Sequence, residues 1–127
     1  MDQFVKQFDK GTLPLEMWDH YGRLQIVYYS VVKFGLPPTM QLNSWLCTKW
    51  KSYKESIGHG HLWNYTLTMF WAQIIAKLAP KYNNFNELYA DNTWIHNGNL
   101  YRSYYSDEII FSSAAKNNWV KPDLKAL

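Results

Sequence analysis

LWNYTLTMFWAQIIAKL, residues 62–78, is the stretch that decides the fold class. Within it Trp63, Leu67, Phe70, Trp71, Ile74, Ile75 and Leu78 recur at three- and four-residue steps, which is the period of an α-helix and not of a strand. The apolar stripe is wide, as a helix at the centre of a bundle requires. Asn64, Thr66, Thr68, Gln73 and Lys77 interrupt it. It therefore falls short of the roughly 18–20 apolar residues of a membrane span and reads as a core helix that Pro80 terminates.

Working outward, Trp18, Tyr21, Leu24, Tyr28, Val31 and Val32 lie on one stripe of a second helix, with Pro14 in its first turn, Glu16 near its positive end and Gly35 as its limit. Pro37 and Pro38 forbid its continuation. Thr39 can cap a third helix, in which Leu42, Trp45, Leu46, Trp50 and Tyr53 make one face and Lys49, Lys51 and Lys54 the other, ending at Gly58-His59-Gly60-His61. A short first helix over residues 2–9 carries Phe4, Val5 and Phe8, and Gly11 closes it. Beyond Pro80 and a polar loop at 82–84, short helical pieces are expected at 85–89, at 107–111 with Ser106 as cap, and at 114–119. Only 99–105 alternates in the manner of a strand. The expected architecture is all-α. It is a compact bundle of three long helices with shorter helices in the C-terminal third, one domain over residues 1–127. The tail from Trp119 to Leu124 is expected to lie back on the bundle, because Trp119, Val120 and Leu124 need cover.

Composition bounds the function. Lys and Arg number 13 against 10 Asp and Glu, a net charge of +3, which is too small a surplus to argue for nucleic acid. The one basic cluster, Lys49, Lys51 and Lys54 interleaved with Trp45, Trp50 and Tyr53, reads as a helix with a wet and a dry side, so no nucleic-acid partner is expected. No membrane partner is expected either. A single cysteine, Cys47, calls for no oxidising compartment, and the expected location is cytoplasmic. Seven Trp, ten Tyr and six Phe suit either a ligand pocket or an interface, so self-association into a homo-oligomer stands beside ligand binding as an alternative.

Candidate chemistry is sparse. His59 and His61 supply two imidazoles but not a complete ligand set, and no metal or other cofactor is expected. No nucleophile elbow, zincin, kinase or phosphate-loop motif is present. On the second helix Glu16, His20 and Arg23 are spaced by four and three residues. Arg23 is one of only two arginines against eleven lysines, and its flat fork suits carboxylates and phosphates, while His20 can transfer protons near neutral pH. The competing reading is a surface Asp19–Arg23 pair with His20 at the edge of the core. On the central helix Asn64 and Thr68 are one turn apart beside the apolar stripe and, if buried, must hydrogen-bond to His20, to Arg23 or to a ligand.

Taken together, Phe8 with Gly11-Thr12-Leu13-Pro14, Trp18-Asp19-His20-Tyr21-Gly22-Arg23-Leu24, Trp63-Asn64-Tyr65-Thr66-Leu67-Thr68, Tyr104-Tyr105-Ser106, Phe111-Ser112 and Trp119-Val120-Lys121-Pro122-Asp123-Leu124 resemble a widespread, poorly characterised family of small helical, mostly bacterial proteins. The likeness spans nearly the whole chain. It implies a His-x-x-His pair where this chain has His20 and Arg23, and a Tyr-His-Glu-Thr stretch where it has Trp63, Asn64, Tyr65 and Thr66. Such histidines and a glutamate on facing helices imply a metal or acid/base site. Here Arg23, Asn64 and Tyr65 replace two of the histidines and the glutamate. Arginine is no ordinary metal ligand and repels cations, so the exchange favours an anion. The resulting expectation is a small polar or anionic molecule bound in an aromatic-lined pocket between two helices by Arg23, Asn64, Thr68 and Tyr65, with His20 as the candidate catalytic residue. The alternatives are a protein-interaction module and a degenerate relative that keeps only the fold.

Overall fold

In the computed structural model, which describes residues 2–35 and 44–127, the first helix α1 (Gln3–Lys10) opens on Asp2, whose carboxylate accepts the Val5 amide at 2.9 Å. It closes on Gly11, in the left-handed conformation at φ +75°. The expected second helix starts later than Pro14. Leu15–Met17 forms a separate 3-10 turn, Trp18 leaves helical geometry, and α2 (His20–Phe34) begins after Asp19, whose side chain accepts the Gly22 amide at 2.8 Å. Glu16 is thus not on α2, and Asp19 is its cap. The tight approach requires glycine at 22, where a Cβ would stand 2.3 Å from the Met17 carbonyl oxygen.

The proposed cap Thr39 and face residue Leu42, like Pro37 and Pro38, lie outside the described residues. Among those described, α3 (Trp45–Ser56) is capped by Ser44, which accepts the Cys47 amide at 3.2 Å. After Gly58 and a 3-10 turn at Gly60–Leu62 comes α4 (Tyr65–Leu78), capped by Asn64. The central helix is therefore shorter than residues 62–78. At 15, 12 and 14 residues, α2, α3 and α4 are all shorter than the sequence pattern suggests, because Asp19, Ser44 and Asn64 each start a helix that periodicity alone would begin earlier. Pro80 sits in a 3-10 turn, Ala79–Lys81, that ends α4.

The last third is α5 (Phe85–Asp91), two 3-10 turns at Thr93–His96 and Leu100–Ser103, α6 (Asp107–Ile110) and α7 (Ser113–Asn117), the helices starting on Asn84, Ser106 and Ser112. The one candidate strand, 99–105, instead holds the 3-10 turn Leu100–Ser103, and the described residues contain no strand. The tail does fold back: Trp119 and Val120 are half-buried, Trp119 packs on the core, and hydrogen bonds add to this cover. Tyr105 donates to the Val120 carbonyl, the Leu124 amide to Tyr104 and the Ser106 amide to Asp123, while Leu124 stays exposed.

α4 packs against α2 and α7, and α3 against α1 and α2, around one apolar cluster running from Val5 to Ile110. Aromatic rings dominate it. Phe8 stacks on Trp18 at 5.1 Å, and Trp18 meets both Trp50 and Tyr53 at 4.8 Å. The Tyr53 hydroxyl donates to the buried Leu13 carbonyl at 2.7 Å. No described helix is long and apolar enough to cross a membrane.

Candidate functional site

Helical phase brings four of the expected residues to one cavity of about 260 Å³. From α2 come His20, Arg23 and Leu24; from the cap and first two turns of α4 come Asn64, Leu67, Thr68 and Trp71, which are spaced to share one face. Two further sources were not expected. α3 supplies Trp50 and Lys54, and the turn between the two 3-10 segments supplies Gly98 and Asn99. The cavity is thus walled by three helices and a loop, not two helices. Trp50, Trp71 and His20 are its aromatic surfaces.

His20 is positioned by Asp19 capping and by a contact with the far end of the chain. Its Nε2 lies 2.7 Å from the Ile95 carbonyl oxygen, and its ring meets the edge of Trp71 at 5.0 Å. A carbonyl only accepts, so Nε2 carries a proton and the neutral ring keeps its lone pair on Nδ1. Burial pulls the His20 pKa below the ordinary histidine value, the Ile95 bond opposing and the nearby Arg23 charge assisting.

Arg23 lies over the Trp18 ring at 5.6 Å, with a buried Nε that has no hydrogen-bond partner. The expected alternative, an Asp19–Arg23 surface pair, does not form. Asp19 is spent on the helix cap, and the ion pairs among the described residues are Lys49–Asp9 and Arg102–Asp107. Burial lowers the Arg23 pKa, with Asp19 partly compensating through space.

Lys54, assigned by its sequence pattern to the wet side of α3, instead reaches the cavity from the last turn of that helix and donates to the Leu62 carbonyl at 3.1 Å. Burial and the adjacent Arg23 push its amine down to about 8. Among the described residues no carboxylate lines this cavity. A larger groove of about 380 Å³ beside α3 carries Lys51 and Glu55 together, so its charges compensate.

Asn64 and Thr68 line the cavity but are largely committed to the fold. Asn64 Oδ1 accepts the Leu67 amide at 3.0 Å, its Nδ2 donates to the Ile110 carbonyl at 2.7 Å, and the Thr68 hydroxyl donates to the Asn64 carbonyl at 2.9 Å. The hydrogen-bond partners seen for Asn64 and Thr68 are thus backbone groups, not His20 or Arg23, and Asn64 is a helix cap. Tyr65 is not on the cavity wall. One residue after the cap it lies off the 64–67–68–71 face, buried near Cys47, and desolvation pushes its hydroxyl up to about 12.

The other candidates separate. Trp50 and Tyr53 are buried, apart from the Trp50 surface that lines the cavity, and Lys49 pairs with Asp9, so the basic aromatic stretch of α3 presents no row of exposed rings. His96 stacks on Tyr89 at 3.8 Å and contacts its carbonyl, far from assisting His59 and His61, and no three His, Cys, Asp or Glu converge among the described residues. Lys54 and the 98–99 turn were the residues that sequence reading missed. The Asn97-Gly98-Asn99 turn composition was the only local signal. No protein-family model, curated protein or solved structure matches the chain.

Proposed function

We propose that the protein binds a small anionic molecule in the cavity between α2, α3, α4 and the 98–99 turn. The observation that carries this reading is a pair of cations, Arg23 and Lys54, on a wall without a carboxylate, one of them with a buried and unpartnered Nε. Two like charges on one partly desolvated wall cost energy, and an anion between them removes that cost. Ligand pockets typically run from about 300 Å³ upward, so a site of about 260 Å³ suits a small acid and not a nucleotide or peptide. Arg23 supplies a planar fork, Lys54 a point charge, and His20 a group suited to proton transfer near neutral pH.

Thermal unfolding in the presence of phosphate, acetate and benzoate, on the wild type and on Arg23→Met, tests the proposal. A bound anion at a hundredfold excess over Kd stabilises by about 2.7 kcal/mol, and that gain should be lost in Arg23→Met. A wild type that none of these anions stabilises, or a variant stabilised equally, refutes it.

A further inference from the structure

Resting on the anion-binding reading, we propose that the ligand is a small aromatic carboxylate that also carries a hydroxyl, its carboxylate held by Arg23 and Lys54 and its O–H donated to Nδ1 of His20. The cavity wall offers a ligand two kinds of polar group. Arg23 and Lys54 can only donate. The others accept. The His20 tautomer is set by the Ile95 carbonyl, 2.7 Å from Nε2, which leaves Nδ1 as an acceptor with no hydrogen-bond partner among the described residues. Thr68, also on the wall, spends its hydroxyl proton on the Asn64 carbonyl and has only lone pairs left to offer.

Gly98 does not cover Nδ1. A Cβ at that position would lie 3.5 Å from Nδ1, 3.7 Å from Cγ and 4.0 Å from Cε1, and such similar distances put it over the face of the ring, away from the in-plane lone pair. A ligand with only acceptor atoms would satisfy the cations and leave lone pairs facing lone pairs. Trp50, Trp71 and Leu67 supply the apolar part of the wall, against which an aromatic ring packs.

Titration calorimetry with benzoate, its three hydroxy isomers, the matching methoxy isomers, acetate and phosphate tests this on the wild type and on His20→Phe. At least one hydroxybenzoate should bind the wild type about tenfold more tightly than benzoate, the worth of one added hydrogen bond. The methoxy counterpart, which cannot donate, should show no such gain. In His20→Phe the ratio should fall to about one while benzoate still binds. If that variant does not fold, the hydroxy-to-methoxy comparison on the wild type decides alone. Equal affinities across benzoate, hydroxy and methoxy forms overturn this inference and leave the anion site standing, as does binding of phosphate or acetate without an aromatic gain. Absence of binding by every compound overturns both.

Discussion

Lys54 shows what a single residue does when it is buried beside another cation. Its ordinary pKa of 10.5 is lowered to about 8 by desolvation first and by Arg23 second. The folded protein thus releases this proton before the unfolded chain does, and between those two values the unfolded state binds more protons. Stability contributed by this residue therefore rises with pH across that window, being fully present above the unfolded value and lost as pH falls through the folded one. In the ligand-free protein Lys54→Met should be more stable than the wild type at about pH 7, with the difference shrinking toward about pH 10. Urea midpoints at both pH values measure this, and a gap that does not change with pH contradicts it. Anion affinity should decline as pH rises through about 8, because the wall loses one of its two cations while Arg23 keeps its charge.

The element scale belongs to helix starts. Asn64 does two jobs, capping α4 through Oδ1 and holding the Ile110 carbonyl of α6 through Nδ2. Asn64→Ala loses both and should cost about 2 kcal/mol, roughly one for the cap and one for the orphaned carbonyl. Asn64→Asp keeps the cap, loses the donor to Ile110 and adds a carboxylate to the wall shared by Arg23 and Lys54. It should abolish anion binding at a stability cost at least as large as that of the alanine variant, because a carboxylate oxygen in place of Nδ2 faces the buried Ile110 carbonyl with no proton to donate. Denaturant unfolding and the anion thermal shift on the two variants separate these effects. An alanine variant within about 0.5 kcal/mol of wild type would show that the cap contributes nothing. Asp19 works similarly at α2, and its use as a cap is why the expected Asp19–Arg23 pair is absent and Arg23 is left for the cavity.

At the scale of the whole molecule, the chain closes on itself through its tail. The Val120 amide and the Asn118 carbonyl both engage the Thr66 hydroxyl of α4, and Tyr105, Tyr104 and Ser106 bind residues 120–124. None of these residues lines the cavity. Truncation after Asn118 should thus lower the melting temperature by several degrees while leaving anion affinity at a temperature where the protein is folded within about twofold of wild type. Calorimetric melting and titration of the truncated protein test this, and an unchanged melting temperature with lost binding would reverse the assignment.

Sequence by itself determined the all-helical class, the short C-terminal helices, the cap at Ser106 and the closing role of Gly11, since each rests on residues within about four positions of one another. It also singled out His20, Arg23, Asn64 and Thr68, and these do share one cavity. Where helices begin was less legible, because Asp19 and Asn64 lie inside apolar stripes that continue on either side, and a cap outweighs periodicity only once its side chain turns to bond the backbone. Tertiary structure alone decided that Lys54 faces inward, that Tyr65 does not line the cavity, and that Ile95, Gly98 and Asn99 complete the surroundings of His20. The Ile95 carbonyl is separated from His20 by 75 residues. Local periodicity places side chains on the faces of one helix, but which faces meet depends on packing between elements, and that is set by the core as a whole.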